Sequence, residues 1–266
     1  MLRKNLFLNI RGNNVMNVRC EKLDKKNYIP YEEDKRNHEP YIQRDIIKNF
    51  EELKIKVKNR KLYIMLEGEE IHVKLLKLPK VYNEKLENMI ENEMIYLYGT
   101  KANEIYYDYS VLKENKNDLD VLVFCVNCEL LSNMKSYNKF KNSIKRVSLV
   151  QMHFIEYLKR YILENKYILI LEYYNNIYFT AIYKDKIIAN KVVKSSENDY
   201  DSLVNGVNFI KDRISIINVK IDNIYTCNIN NYRFNQYLSE IKDVKYKNLG
   251  ELKENRVIEC FVKDRR

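Results

Sequence analysis

The chain has 266 residues, 45% hydrophobic and 32% charged, with 47 Lys and Arg against 37 Asp and Glu for a net charge of +10. Such a composition describes a globular chain long enough for two lobes, and it excludes a disordered tail. Its longest apolar runs, such as Tyr167 to Leu171, fall far below the ~20 residues that a membrane span requires. The opening Met1-Leu2-Arg3-Lys4-Asn5-Leu6-Phe7-Leu8 turns polar at Asn9 and Arg11, which does not suit a secretory signal, so the expectation is a cytoplasmic protein. The positive charge is scattered, densest at Lys58-Asn59-Arg60-Lys61, Lys139-Phe140-Lys141 and Lys263-Asp264-Arg265-Arg266. No coherent basic stripe or RNA-type aromatic signature accompanies it, so specific nucleic-acid binding is the least favoured class.

In chain order, Leu6 to Ile10 and Val15 to Cys20 read as strands around the turn Gly12-Asn13-Asn14. A weaker extended piece lies near Tyr28 to Tyr31. A helix through Ile42, Ile46, Ile47, Phe50 and Leu53 precedes a strand over Leu62 to Leu66.

The block from Glu67 to Leu149 follows. It opens with a strand ending at Leu78-Pro79, where proline has no amide for a ladder. Leu86, Met89, Ile90, Met94 and Leu97 then recur at three- and four-residue steps, on one face of a helix that Asn83 can cap. Glu84 and Glu87 suit the positive end of that helix. A strand over Ile105 to Leu112, an apolar run over Asp120 to Val126 and a helix through Leu130, Met134 and Tyr137 complete the block.

Next comes a linking helix with Phe154, Ile155, Leu158, Tyr161 and Ile162 on one face. Tyr167–Tyr173, Ile177–Tyr183 and Ile187–Val193 are three strand-like runs, parted by Asn175-Asn176 and Lys184-Asp185-Lys186. Ser195-Ser196 reads as a turn and cap for a helix through Leu203, Val207, Ile210, Ile214 and Ile217. A strand over Ile221 to Cys227 ends the unit. The order strand-strand-strand-helix-strand thus occurs twice around an insertion. This predicts an α/β, two-lobed actin-like ATPase fold with an inserted α+β subdomain: residues 1–66 part of the first lobe, 67–149 the insert, 150–266 the linking helix and second lobe.

Catalytic and metal-ligating constellations are missing. His38, His72 and His153 share no ligand spacing, and His72 alternates with Ile71 and Val73 as a surface strand residue does. Cys125-Val126-Asn127-Cys128 is a CxxC without a second pair to complete a zinc site. Five cysteines make no even disulfide framework, so these two are expected to be buried structural thiols. No Walker loop, nucleophile elbow or HExxH occurs.

The chain resembles the PilM family of type IV pilus assembly proteins, relatives of the division protein FtsA, over nearly its whole length. Leu76-Lys77-Leu78-Pro79 matches the family's strand ending in Leu-Pro, and Ile90-Glu91-Asn92-Glu93 its following helix. Tyr107-Asp108-Tyr109-Ser110-Val111-Leu112 matches the Asp-Tyr strand, and Val121-Leu122-Val123-Phe124-Cys125-Val126 the apolar strand after it. By that resemblance the nucleotide turns can be placed. The first phosphate turn, Asp-x-Gly in the family, reads Asn9-Ile10-Arg11 with Gly12 one place late. The second reads Glu172-Tyr173-Tyr174, with tyrosine where glycine belongs. The third, a double glycine, falls at Cys227-Asn228. The chain has only five glycines, Gly12, Gly68, Gly99, Gly206 and Gly250.

A side chain at those positions takes the space of a phosphate, so no catalytic residue, no metal and no cofactor is expected. In the alternative, Arg11 holds phosphate by charge, Glu172 holds Mg through water, and the chain binds ATP. The resemblance further implies a scaffold that binds the cytoplasmic tail of a PilN-like membrane protein at the inner face of the membrane and contacts pilus motor ATPases. Tyr106, Tyr107 and Tyr109 are the candidate partner-binding residues, because tyrosine combines area with a polar tip. Tyr107 and Tyr109 should face one side of their strand and Tyr106 the other.

Overall fold

The structure is a computed structural model that describes residues 4–11, 14–21, 60–68, 70–127, 144–195 and 199–252. Two compact units divide the chain: Met1–Glu69 with Cys128–Arg160 and Lys253–Arg266, and Glu70–Asn127 with Tyr161–Leu252. Residues 70–127 of the insert therefore share a unit with the second lobe.

In the first unit, β1 (Lys4–Arg11) pairs antiparallel with β2 (Asn14–Glu21) and parallel with β3 (Arg60–Glu67). β3 pairs in parallel with β7 (Ile144–Leu149), giving the order β2-β1-β3-β7. Leu62, Tyr63, Ile64, Met65 and Leu66 are all buried, as befits a central strand covered on both faces. Sequence periodicity did not announce β7, whose Ile-Lys-Arg-Val-Ser-Leu is half polar and lies at the sheet edge. Helix α2 (Val150–Leu158) follows it and buries Val150, Phe154, Ile155, Tyr157 and Leu158. The expected linking helix is longer than the real one. Tyr161 and Ile162 lie past its end, the first exposed and the second buried.

The second unit holds two sheets. The larger has the order β10-β9-β8-β11-β12, built from β8 (Lys166–Tyr173), β9 (Asn176–Tyr183), β10 (Lys186–Lys194), β11 (Asn223–Cys227) and β12 (Lys245–Asn248). β8, β9 and β10 form an antiparallel meander, while β11 runs parallel to β8 and β12 parallel to β11. The order β9-β8-β11-β12 thus repeats the pairing and direction of β2-β1-β3-β7. That is the duplication expected from the sequence. The third strand near Tyr28 to Tyr31 and the helices through Ile42–Leu53 and Leu130–Tyr137 lie outside the described residues.

Helix α3 (Tyr200–Ile216) packs Leu203, Val207, Ile210 and Ile214 into a core with Ile168, Ile170 and Phe179. Burying a ring the size of Phe179 contributes about 2–3 kcal/mol. The cap of α3 is Asp199, whose carboxylate accepts from the Ser202 amide, and not the Ser195-Ser196 pair expected to serve there. Helix α4 (Tyr232–Glu240) contributes Phe234 and Leu238 to the same core.

The smaller sheet, β4-β6-β5, consists of β4 (His72–Pro79), β6 (Asp118–Asn127) and β5 (Ile105–Glu114), all antiparallel. Helix α1 (Glu84–Tyr98) covers one face: Leu86, Ile90 and Met94 meet Leu119, Val121, Val123 and Cys125. Asn83 stands at its N-cap position, but with φ 53° and no capping bond from its side chain; its carbonyl takes the Leu86 and Glu87 amides instead. On the opposite face Leu122, Phe124, Val73 and Leu112 join the core around Phe179. The junction is polar as well. Asn190 Oδ1 accepts from the Ile71 amide at 2.9 Å, and Nδ2 donates to the Phe179 carbonyl at 3.2 Å and to Thr180 Oγ1 at 3.1 Å. Glu70 accepts from the Val192 amide at 3.3 Å and pairs with Lys191 at 3.4 Å.

Candidate functional site

The carboxyl ends of β8 and β11 carry the second-lobe turns singled out by sequence. β8 and β9 are joined through Tyr174 and Asn175, closed by the pair Tyr173 and Asn176. Tyr174 has φ 50°, at the first loop position of a tight hairpin, where glycine is the ordinary choice. A non-glycine residue there costs ~1–2 kcal/mol. Its ring partly offsets this by meeting Tyr173 edge-to-face at 4.6 Å. Tyrosine thus holds a backbone conformation that ordinarily favours glycine.

The end of β11 repeats the pattern. Asn228 has φ 60° in the third turn. Its amide donates to the Gly250 carbonyl at 3.0 Å, its Nδ2 donates to the Glu172 carbonyl at 3.0 Å, and its Oδ1 accepts from the Leu252 amide at 2.8 Å. One side chain therefore ties the ends of β8 and β11 to the segment that leaves β12. Leu249 adds a bond to the Thr226 carbonyl at 2.8 Å. Beneath them, Thr226 Oγ1 lies 2.9 Å from the Tyr246 hydroxyl, which donates to Asn235 Oδ1 at 2.8 Å. Cys227 is fully buried, and that burial pushes its thiol up to about 12. A thiol so raised is no nucleophile at neutral pH.

The amide and side chain of Asn228 are thus engaged with the chain itself. Among the described residues no three His, Cys, Asp or Glu side chains converge as a metal site. Asn9 and Arg11 lie on β1, opposite Asn17 and Asn14 of β2, with an irregularity in register between Asn9 and Ile10. Gly12 lies outside the described residues. Sequence reasoning missed Gly250 and Leu252, which complete the third turn from a distance no local motif reveals; the one signal in the sequence was a rare glycine, which takes φ 74° in the fold.

On the insert, Tyr107 and Tyr109 stand opposite Cys125 and Val123, on the face under α1, and Tyr106 stands opposite Val126 on the other. Tyr109 packs at the margin of the α1 core, its hydroxyl 3.4 Å from Glu87 Oε1. Tyr107 is 39% exposed. Partial burial pushes its hydroxyl up, and the Glu91 and Glu87 carboxylates add to the shift. Cys125 is buried with its thiol 3.7 Å from Met94 Sδ, while Cys128 lies outside the described residues. His72 is exposed on β4, 3.9 Å from Glu70.

No family model matches the chain, and no curated protein matches it. Solved structures do. A Bacteroides thetaiotaomicron protein with an actin-like ATPase fold and unknown function superposes with a TM-score of 0.52 at 11% identity, covering 98% of this chain and 95% of that one. The PilM-PilN type IV pilus biogenesis complex gives 0.51 at 10% identity, over 98% and 95% of the two chains. The cytoplasmic domain of EpsL, an inner membrane component of the Vibrio cholerae type II secretion system, gives 0.55 at 10% identity, over 99% and 96%. No described helix is long and apolar enough to cross a membrane. The duplicated sheets and these whole-length superpositions establish that the chain has the actin-like ATPase fold.

Proposed function

We propose that this chain is a PilM-like, non-enzymatic scaffold of a type IV pilus or related secretion machine. In this reading it works in the cytoplasm at the inner face of the membrane. It binds the cytoplasmic tail of a PilN-like membrane protein and links that protein to the motor ATPases. Two of the similar structures come from such machines: a PilM-PilN complex and the cytoplasmic domain of an inner-membrane secretion component. The observation that carries the non-enzymatic part is Asn228, whose side chain spends both its donor and its acceptor on Glu172 and Leu252. A turn that fills its own space with a bonded amide supports a fold kept for its surfaces.

A second reading keeps ATP. The left-handed backbone of Tyr174 and Asn228 favours it, since the turns retain a glycine-like shape. Against it, side chains remain where phosphates approach, a steric objection that charge does not offset.

The scaffold reading is tested by a pull-down between the purified chain and the cytoplasmic tail of the single-span membrane protein encoded beside it. Stoichiometric capture without nucleotide is expected. Capture that requires Mg-ATP favours the second reading, and no capture in either condition removes the partner.

A further inference from the structure

The insert sheet ends in an edge whose hydrogen-bonding groups lack a neighbour. β4 and β5 are its outer strands, but the chain entering β4 is tied to β10 through Ile71 and Glu70. β5 has β6 on one side. Two bonds reveal which β5 groups turn outward. The Tyr109 amide donates to Asp108 Oδ1 at 2.8 Å, and the Val111 carbonyl accepts from Lys186 Nζ at 3.1 Å. Neither is spent on β6, so the odd-numbered residues present their main-chain groups to the open side, as alternation in an antiparallel pair requires. The Ile105 amide is used by the Ala102 carbonyl. Among the described residues this leaves the Ile105 carbonyl, both groups of Tyr107 and the Tyr109 carbonyl without a strand partner.

Edges of this kind are usually blunted with lysine or proline. β12, at the edge of the other sheet, has Lys245 and Lys247 within four residues. β5 has no lysine before Lys113 and no proline. The electrostatics are equally particular. On a chain of net charge +10, α1 carries Glu84, Glu87, Glu91 and Glu93 against Lys85 alone, and β5 adds the exposed Asp108. Glu87 and Glu91 lie on the same side as the Tyr107 and Tyr109 rings.

We propose that the open edge of β5, from Ile105 to Tyr109, receives an added strand from a partner: an extended peptide segment bearing lysine or arginine. Main-chain bonds to Tyr107 supply affinity, the tyrosine rings supply area, and the carboxylates of Glu87, Glu91 and Asp108 select basic side chains. The added strand would lie about 4.8 Å from β5, close enough for its alternate side chains to meet Tyr107 and Tyr109. The inference rests on the scaffold reading and names the docking edge for its partner. Cytoplasmic segments beside a membrane anchor are rich in Lys and Arg, which is the chemistry this edge fits.

The test uses the full chain and the same tail peptide in three forms: native, N-methylated at alternate residues, and with Lys and Arg replaced by Glu. Amide hydrogen exchange should slow at Tyr107 when the native peptide binds. N-methylation removes roughly three main-chain bonds and should weaken binding about a hundredfold. The Glu form should bind at least about tenfold more weakly. Tyr107→Pro, which deletes the outward amide at a site that does not bond β6, should abolish binding while the thermal melt stays cooperative. The N-methylated peptide keeps the test independent of that variant's folding. Equal affinity of native and N-methylated peptides, or binding without protection at Tyr107, overturns the edge proposal and leaves the scaffold reading intact. Failure of every form to bind, together with failure of the whole-tail pull-down, overturns the scaffold reading. A self-associated chain that Tyr107→Pro renders monomeric makes a second copy the occupant and overturns the basic partner.

Discussion

Asn228 Nδ2 donates to the carbonyl of Glu172 across 3.0 Å, joining two turns that in the resembled family are built around glycine. Removing that side chain separates its bonds from its backbone strain. Asn228→Gly keeps a φ of 60° without penalty but loses the bonds to Glu172 and Leu252, each contributing ~1 kcal/mol. We expect a loss of about 1–3 kcal/mol in urea unfolding. Asn228→Ala should cost ~1 kcal/mol more, because alanine also bears the strain. A neutral Asn228→Gly would mean that the bridge contributes nothing.

Mg-ATP at millimolar concentration should leave the melting temperature unchanged. Ligand at a hundred times its dissociation constant adds about 2.7 kcal/mol, which appears as a rise of several degrees. Such a rise would return the chain to the ATP-binding class.

Gly206 of α3 faces the Phe179 ring so closely that a β-carbon there would stand 2.5 Å from Phe179 Cζ. Alanine normally stabilises a helix interior by ~1 kcal/mol over glycine. Here overpacking of ~1–3 kcal/mol should win, so Gly206→Ala lowers the unfolding midpoint. Phe179→Leu combined with Gly206→Ala should recover part of the loss, and additivity of the two changes would refute the contact.

Cys125 and Cys227 should resist thiol reagents at pH 8 in the native state and react only on unfolding. Burial pushes both thiols up, Cys227 to about 12. Replacing Cys125 and Cys128 together by Ala should leave partner binding intact at a cost of ~1 kcal/mol each. Stoichiometric zinc, or a reversible disulfide between them, would contradict this.

Acid should weaken the second unit. Glu164 is held low by the Tyr225 hydroxyl, Asp199 by the Ser202 amide, Asp118 by Asn115 and Glu114 by Lys80. A depressed carboxylate contributes stability that is present above its unfolded value and lost as pH falls through its folded value. The midpoint should therefore hold above about pH 5 and drop as pH falls through 4 and below. Glu114, Glu164 and Asp199 are solvent-exposed and Asp118 is only partly buried, so salt should blunt the effect. A midpoint independent of pH down to about 3 would show that none of these contacts matters.

Legibility in the sequence followed burial. β8, β9 and β10 were readable because Ile, Tyr and Val fill them between turn residues, and α3 because Leu203, Val207, Ile210 and Ile214 keep helical spacing. Helix α4 leaves little sequence signal because only Phe234 and Leu238 are buried in its nine residues, and β12 little because Lys-Tyr-Lys-Asn alternates too briefly. The spacing overstates the linking helix because Tyr161 and Ile162 continue it after the helix has stopped. At the turns, the sequence showed Tyr174, Cys227 and Asn228 where the resembled family has glycine. What replaced them required the fold, since Glu172, Asn228 and Leu252 are brought together only by the sheet and the segment after β12.

The packing of Leu122 and Phe124 against Phe179 bears on how the chain is made. The insert leaves the ribosome before β8, β9 and β10 exist. At the usual ~5–20 residues per second, its apolar rear face waits several seconds for the strands that will cover it. Asn190, which accepts the Ile71 amide, arrives later still. During that interval the nascent insert is a three-stranded sheet with one greasy side, the form of intermediate that chaperones recognise. Synthesis truncated before β8 should therefore yield an aggregating product even though α1 and its sheet are complete.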